Sequence, residues 1–271
     1  MEPVELRHAL DEGRFGGKAS QLGRAIASGL PVPPGWALDH ETVEKLASAG
    51  EDITGRLAHV LEQLGGLVAV RSSGIGEDGA ASSFAGQHLT VLGVTRPEAL
   101  LDAVRAVYES GQSESAIAYR RTHGLDLAPR MGVVIQSLVR ADVAGVAFSE
   151  NPLSHADERV IEASWGLGEA VVQGIVTPDN YRVERGGRVL QQTAGEKDVA
   201  IRWDDSGELT EAPVDASLVS ELCLAPTMLV ALDALVSKCE AAFGGTQDIE
   251  FAFAGGELFL LQRRPITSGK K

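Results

Sequence analysis

The feature that most constrains this chain is a pair of apolar runs near its end, residues 248–253 and 258–262, separated by Ala254-Gly255-Gly256-Glu257. Successive strand residues point to opposite faces, so Asp248, Glu250 and Ala252 share one face and Ile249, Phe251 and Phe253 the other. A two-residue Gly255-Gly256 turn pairs 253 with 258 and mixes apolar with polar positions, whereas a three-residue loop over 255–257 pairs Phe253 with Phe259 and Phe251 with Leu261. The three-residue loop is the predicted register. It sets Glu250 opposite Gln262 and Asp248 opposite Arg264, with Leu258 and Leu260 on the same surface as an apolar floor. Glu and Gln oxygens side by side suit a hard cation such as Mg²⁺, and Arg264 suits charge developing on a transferred phosphoryl group. A solvent-facing polar ladder is the alternative.

Upstream the pattern alternates helix and strand. Gly16-Gly17-Lys18-Ala19-Ser20 opens a helix with Leu22 and Ile26 on one face, stopped by Gly29 and Pro31-Val32-Pro33-Pro34-Gly35. Two helical patterns precede a buried strand over 67–70 that ends at Arg71, and residues 98–121 read as helix. Apolar runs on either side of Arg140-Ala141-Asp142 suggest a strand pair between 131 and 148. A strand over 159–163, a turn at Gly166-Leu167-Gly168-Glu169, extended segments over 171–203 with a Gly186-Gly187 hairpin, and a helix between Ala225 and Phe243 complete the reading. Hairpin-linked strands mixed with helices fit an α+β fold.

Lys and Arg total 24 against 38 Asp and Glu, a formal charge of -14, so the surface repels phosphate backbones and anionic lipid. Nucleic acid and membrane are thereby disfavoured as partners, and an anionic ligand needs a local basic pocket. No apolar run reaches the roughly 20 residues of a membrane span, and Met1-Glu2-Pro3 opens no signal sequence, so a cytoplasmic location is expected. Cys223 and Cys239 fall in a helical pattern and read as reduced core thiols.

Lys18 at a helix start opposes the macrodipole, which calls for an anion there. A phosphate approached through Gly16-Gly17 would serve; a solvated surface lysine is the plain alternative. Arg71 leads into Ser72-Ser73 and suits bidentate phosphate binding, or an ion pair to Glu77 or Asp78. Glu162, inside an apolar strand, needs a partner such as a ribose hydroxyl or an arginine. Residues 74–79 satisfy G-x-G-x-x-G, yet Glu77 and Asp78 would repel a pyrophosphate and no amphipathic helix follows. A closing Gly-rich loop is the better account. His155, in a polar loop, reads as a solvated residue.

Taken together, Gly16-Gly17-Lys18-Ala19, Gly29 to Gly35, Val70-Arg71-Ser72-Ser73, Ser83-Phe84-Ala85-Gly86-Gln87, Gly145-Val146-Ala147-Phe148 with Asn151-Pro152, Gly166-Leu167-Gly168-Glu169, Gln247-Asp248-Ile249-Glu250 and Leu261-Gln262-Arg263-Arg264-Pro265 resemble the N-terminal ATP-grasp domain of phosphoenolpyruvate synthase, pyruvate phosphate dikinase and rifampin phosphotransferase. The resemblance implies a two-lobed ATP-grasp fold, with lobes near 1–137 and 138–271 that may exchange segments, and MgATP in the cleft between them. It implies Lys18 and Arg71 on the ATP phosphates with Thr90 nearby, Gln136, Ser137, Leu138 and Val139 as the hinge beside adenine, Glu162 and Glu169 as further nucleotide contacts, Mg²⁺ on Glu250 and Gln262, and Arg264 on the phosphates. Where the family has Arg-Ser-Ser-Ala-Thr-Ala-Glu-Asp, this chain reads Arg71-Ser72-Ser73-Gly74-Ile75-Gly76-Glu77-Asp78, a looser loop. No Gly-Gly…Ser-His-Ala phosphohistidine motif and no acceptor domain follow. The expectation is therefore an ATP-dependent phosphotransferase of the dikinase class that passes a phosphoryl group to a histidine on a partner in trans and leaves AMP. An ATP-sensing module, or an ATP-grasp kinase or ligase using a small acceptor, are the rivals.

Overall fold

The structure, a computed structural model, describes residues 2–48, 53–76, 89–122, 130–204 and 208–266. The chain divides into two compact units, Met1–Ala27 with Pro33–Leu138, and Ser28–Val32 with Val139–Lys271. Helix and strand mix in both, as the α+β reading expects.

The first unit runs β1 (Val4–Glu5), α1 (Glu12–Phe15), α2 (Gly17–Ala27), β2 (Gly35–Leu38), α3 (His40–Ser48), α4 (Thr54–Gln63), β3 (Val68–Gly74), β4 (Thr90–Val94), α5 (Pro97–Ser110), α6 (Glu114–Thr122) and β5 (Met131–Ser137). Its strands form one antiparallel sheet of order β1-β2-β5-β3-β4. Leu38, Val68, Val70, Val133 and Ile135 point to one face and pack with Leu46, Leu57, Leu100 and Val104 of the helices. Each of these side chains is at least nine-tenths buried, worth about 1.5–3 kcal/mol apiece before chain entropy is counted. By strand alternation the other face carries Ala69, Arg71 and Ser73, and α2 packs against β3 and β5.

Two sequence expectations change here. The strand expected to stop at Arg71 continues to Gly74, because β5 runs beside it and pairs Ser72 with Val133, Ser73 with Gly132 and Gly74 with Met131. The single helix expected over 98–121 is α5 and α6, broken at Gly111, with the Ser113 hydroxyl accepting the Ala116 N–H to start the second.

The second unit runs β6 (Val143–Phe148), β7 (Arg159–Trp165), α7 (Glu169–Val172), β8 (Asp179–Val183), β9 (Val189–Thr193), β10 (Val199–Trp203), β11 (Leu209–Pro213), α8 (Pro226–Phe243), β12 (Gln247–Ala254) and β13 (Glu257–Pro265). Six strands form an antiparallel sheet of order β13-β12-β6-β7-β8-β9, and β10 with β11 makes a separate hairpin. α8 starts with Pro226 in its first turn, where a missing N–H costs nothing, and buries Leu229, Leu232, Val236 and Cys239. It packs on β12 and β6, whose Ile249, Phe251 and Ala147 are fully covered. Arg159, itself fully buried, ties β7 to this helix through Asp233 at 2.9 Å and Glu240 at 3.0 Å. β13 is the sheet edge, and the Leu260 N–H donates to Pro31 O at 2.8 Å, which explains why Ser28–Val32 belongs to this unit.

The expected pairing of the two runs flanking Arg140-Ala141-Asp142 is wrong: β5 pairs with β2 and β3, and β6 with β12 and β7. Both runs are buried through most of their length, so each takes the middle of a sheet and needs two neighbours, which one short hairpin would not supply. The extended reading from residue 171 starts too early, since α7 ends at Val172 and β8 begins at Asp179. Cys239 is in α8, but Cys223 lies outside any helix; both thiols are free and buried.

Candidate functional site

Gly16 adopts φ +83°, and a Cβ there would lie 1.8 Å from the Ser73 carbonyl oxygen. The start of α2 is therefore pressed onto β3. Ala19 N–H donates to Ser73 Oγ at 2.9 Å, and the Lys18 ammonium donates to Ser72 O at 2.9 Å. Lys18 is only 6% exposed, so the surface-lysine alternative does not hold. The compensation sought for its charge comes, among the described residues, from a strand carbonyl. Gly16→Ala is expected to lower stability by on the order of 3 kcal/mol, read as a shift in denaturant midpoint at constant slope.

Arg71 is half-buried on β3, opposite Thr90 of β4 and Val134 of β5. By parity it shares the α2-covered face with Ser73 and Gln136. Its alternative partners Glu77 and Asp78 lie outside the described residues, as does the 83–87 motif and most of the 74–79 loop. Gln136 is buried and its Nε2 donates to Pro33 O at 3.1 Å. Ser137 donates through its N–H to Pro34 O and through Oγ to Leu64 O, and Leu138 N–H donates to Leu67 O. The 136–138 stretch is thus held firmly by its own unit, and Val139 begins the other.

In the second unit β12 and β13 pair Glu250 with Gln262 and Asp248 with Arg264, as the sequence reading expects, but by a different route. The tip is a two-residue Gly255-Gly256 turn, with φ of 57° and 83°, that pairs Ala254 with Glu257, Phe253 with Leu258 and Phe251 with Leu260. Both positive φ values match the turn whose twist suits a hairpin, which is why it wins over the three-residue loop. The extra residue sits further along, as a bulge at the Glu250/Phe251 step. The bulge shifts Gln262 into line with Glu250. Leu258 and Leu260 are therefore partners of Phe253 and Phe251 on the apolar face, and the apolar residues on Glu250's face are instead Phe259, paired with Ala252, and Val146.

Register carries this surface across the sheet. Gln262 faces Glu250, Glu250 faces Val146, Val146 faces Glu162 and Glu162 faces Asn180. Paired residues share a face, so Gln262, Glu250, Glu162 and Asn180 form one polar row on the side away from α8. Glu162, expected to be buried, is only half-buried because it belongs to that row. Glu169 is the half-buried first residue of α7, the turn that packs over β6 and β7. Gln262 is 3% exposed.

Asp248 adds to the negative charge. Its burial, and then the neighbouring Glu250 carboxylate, push its carboxyl up to about 6 against the opposing pull of Arg264. Carboxylates crowded this way fit a cation, and every donor in the group is a hard oxygen. Among the described residues no three His, Cys, Asp or Glu side chains are arranged to hold a metal by themselves. A magnesium ion, which takes few protein ligands and completes its shell with phosphate and water, is compatible with that set. Asp248 was a parity partner of Arg264 in the sequence but not a candidate ligand; its proximity to Glu250 is the signal that adds it.

The sequence matches the family described as pyruvate phosphate dikinase, AMP/ATP-binding domain, over residues 47–271. The chain belongs to this family. Among its relatives, a probable phosphoenolpyruvate synthase of Methanothermobacter thermautotrophicus is 33% identical over 309 residues, 95% of this chain and 44% of that protein. A rifampicin phosphotransferase of Streptomyces sviceus is 36% identical over 231 residues, 84% of this chain and 26% of that protein. The chain thus spans less than half the length of these relatives. A D-alanine–D-alanine ligase from Bacillus anthracis complexed with ATP is a similar solved structure, 12% identical, with a TM-score of 0.42 over 91% of this chain and 53% of that one. Within this dikinase-type nucleotide-binding domain, Arg71, Glu250, Gln262 and Arg264 fall inside the matched region, and Lys18 precedes it.

The domain also holds a buried polar hub that sequence reasoning missed. Asp179 and Lys197 are both fully buried and form an ion pair at 2.5 Å. Asp179 further accepts from Gly195 N–H, Cys223 N–H and Tyr181 O–H, and Tyr181 Oη accepts Leu224 N–H. Burial alone would raise the Asp179 carboxyl; the Lys197 hydrogen bond and the backbone donors outweigh it and hold it below its ordinary value. Burial and the Asp179 charge push the Cys223 thiol far up, so it stays an inert thiol.

Proposed function

We propose that this chain binds MgATP and supplies the phosphoryl-donating half of a dikinase-type transfer. The observation that carries the reading is the register of β12 and β13, which sets a carboxylate beside an amide oxygen, and a second carboxylate beside a guanidinium, on one sheet face of a domain from this family. Glu250 and Gln262, with Asp248 beside them, would hold a magnesium ion, whose charge would offset that of the phosphates. Lys18, Arg71 and Arg264 would supply cations to the phosphate oxygens and so stabilise the charge on the transferred group. Glu162 and Glu169, with the 136–139 segment, orient the nucleoside.

In the reaction proposed, a histidine nitrogen on a separate domain forms a bond to phosphorus as a phosphoanhydride P–O bond breaks. The remaining phosphoryl group passes to water or phosphate, and AMP leaves. The protein is incubated with labelled ATP and magnesium, with and without a phosphohistidine domain from a relative. AMP formation that depends on that domain, with label on its histidine, is the expected result. ATP binding without AMP or phosphate release would overturn the transfer and leave a nucleotide sensor; consumption driven by a small acceptor alone would reassign the protein to the kinases or ligases.

A further inference from the structure

The second unit contains a cavity of about 400 Å³ whose walls include Arg140, Trp165, Leu167, Ile201, Trp203 and Leu218. We propose that this cavity is a binding site for a planar aromatic acid, its ring against the indoles and its carboxylate on Arg140. The size falls in the range of small-molecule sites, which are mostly apolar with a few placed polar groups.

Each wall has a defined state. The Arg140 guanidinium lies over the Trp203 ring at 5.0 Å, and among the described residues it has no carboxylate partner. Stacking on indole holds the planar fork in place while leaving its N–H edge to meet a carboxylate. Trp165 donates Nε1–H to Leu218 O at 3.1 Å, so its polar edge is satisfied and its ring is fixed. Trp203 keeps its Nε1–H buried with no acceptor among the described residues. Asp142, also on the wall, is already taken: its Oδ2 accepts the Gly255 N–H at the β12–β13 tip. Asp215 also lines the cavity, and its Oδ1 accepts from the Ser217 N–H and hydroxyl; with both aspartates engaged by their own donors and neither paired with Arg140, the guanidinium on its aromatic wall is the group that would receive an anion.

The cavity is distinct from the polar row. Strand alternation on β7 sends Glu162 and Ser164 to one face and Trp165 to the other. Neither Glu162, Glu250, Gln262 nor Arg264 lines the cavity, and the inference does not rest on the nucleotide reading.

Naphthoate is the probe, titrated into the intact protein by calorimetry and by quenching of tryptophan emission. Saturable one-to-one binding is expected, unchanged by saturating MgATP and at least about tenfold weaker in Arg140→Gln. Arg140 is exposed, so this variant keeps its fold, checked by circular dichroism. Naphthyl methanol, which lacks the charge, is expected to bind as weakly as naphthoate binds the variant. Equal affinity for the neutral analogue, no saturation, or displacement of naphthoate by MgATP would each overturn the assignment.

Discussion

Replacing Glu250 by Gln is expected to cut ATP turnover by about two to three orders of magnitude while leaving stability nearly unchanged. Glutamine keeps the shape of the strand residue and its hydrogen-bonding capacity but removes the carboxylate that faces Gln262. On the proposed reading, the cation would then be held by two neutral amide oxygens and Asp248, and its affinity would fall. Raising magnesium should therefore recover part of the rate, an outcome that a folding defect would not produce. The same removal relieves Asp248 of the like charge that pushes its carboxyl up.

Glu162→Gln is the matched control. Glu162 shares the polar row, two strands from Glu250, roughly 10 Å by strand spacing. If it faces the nucleoside, its loss raises the KM for ATP about tenfold without changing the magnesium dependence. A Glu250→Gln variant with normal turnover, or one whose defect ignores magnesium while that of Glu162→Gln responds to it, would defeat the assignment of the row.

How much of this was legible beforehand is best seen in the β12–β13 hairpin. Parity alone gave the shared face of Asp248 and Glu250, and the offset of one residue needed to bring Gln262 opposite Glu250. The location of that offset was not legible, because a bulge and a longer loop insert the same single residue and differ only in backbone strain at the tip. Two glycines free to adopt positive φ settle it in favour of the tight turn, at the cost of the Leu258 and Leu260 placement. α8 was readable to within a residue because proline marks its start and Gly244 its end. The pairing of β5 and β6 was not, since adjacency in sequence says nothing about which interior strand takes which neighbour. The contact between Lys18 and Ser72 O joins residues 54 apart, and no local pattern encodes it.

The Asp179–Lys197 hub yields the largest expected loss of stability. Replacing Lys197 by Met leaves a fully buried carboxylate with three neutral donors and no counter-charge, which costs about 3–5 kcal/mol. The effect is pH-dependent with a definite sign. In the native protein the Asp179 carboxyl titrates below its ordinary value of 3.8, so its contribution is complete above that pH and is lost as pH falls through the lower folded value. In the variant the ammonium no longer opposes burial, and protonation of Asp179 becomes favourable in the folded state at a higher pH. The difference in unfolding free energy between the two proteins should thus be greatest near neutrality and shrink as pH falls toward about 3. Adding Asp179→Asn to Lys197→Met removes the stranded charge and should return part of the lost stability at neutral pH. Denaturant unfolding at neutral and acid pH measures all three, and a single-variant deficit below about 1 kcal/mol, or one that stays constant with pH, would show that the pair is not what holds β8, the Lys197 segment and the Cys223 segment together.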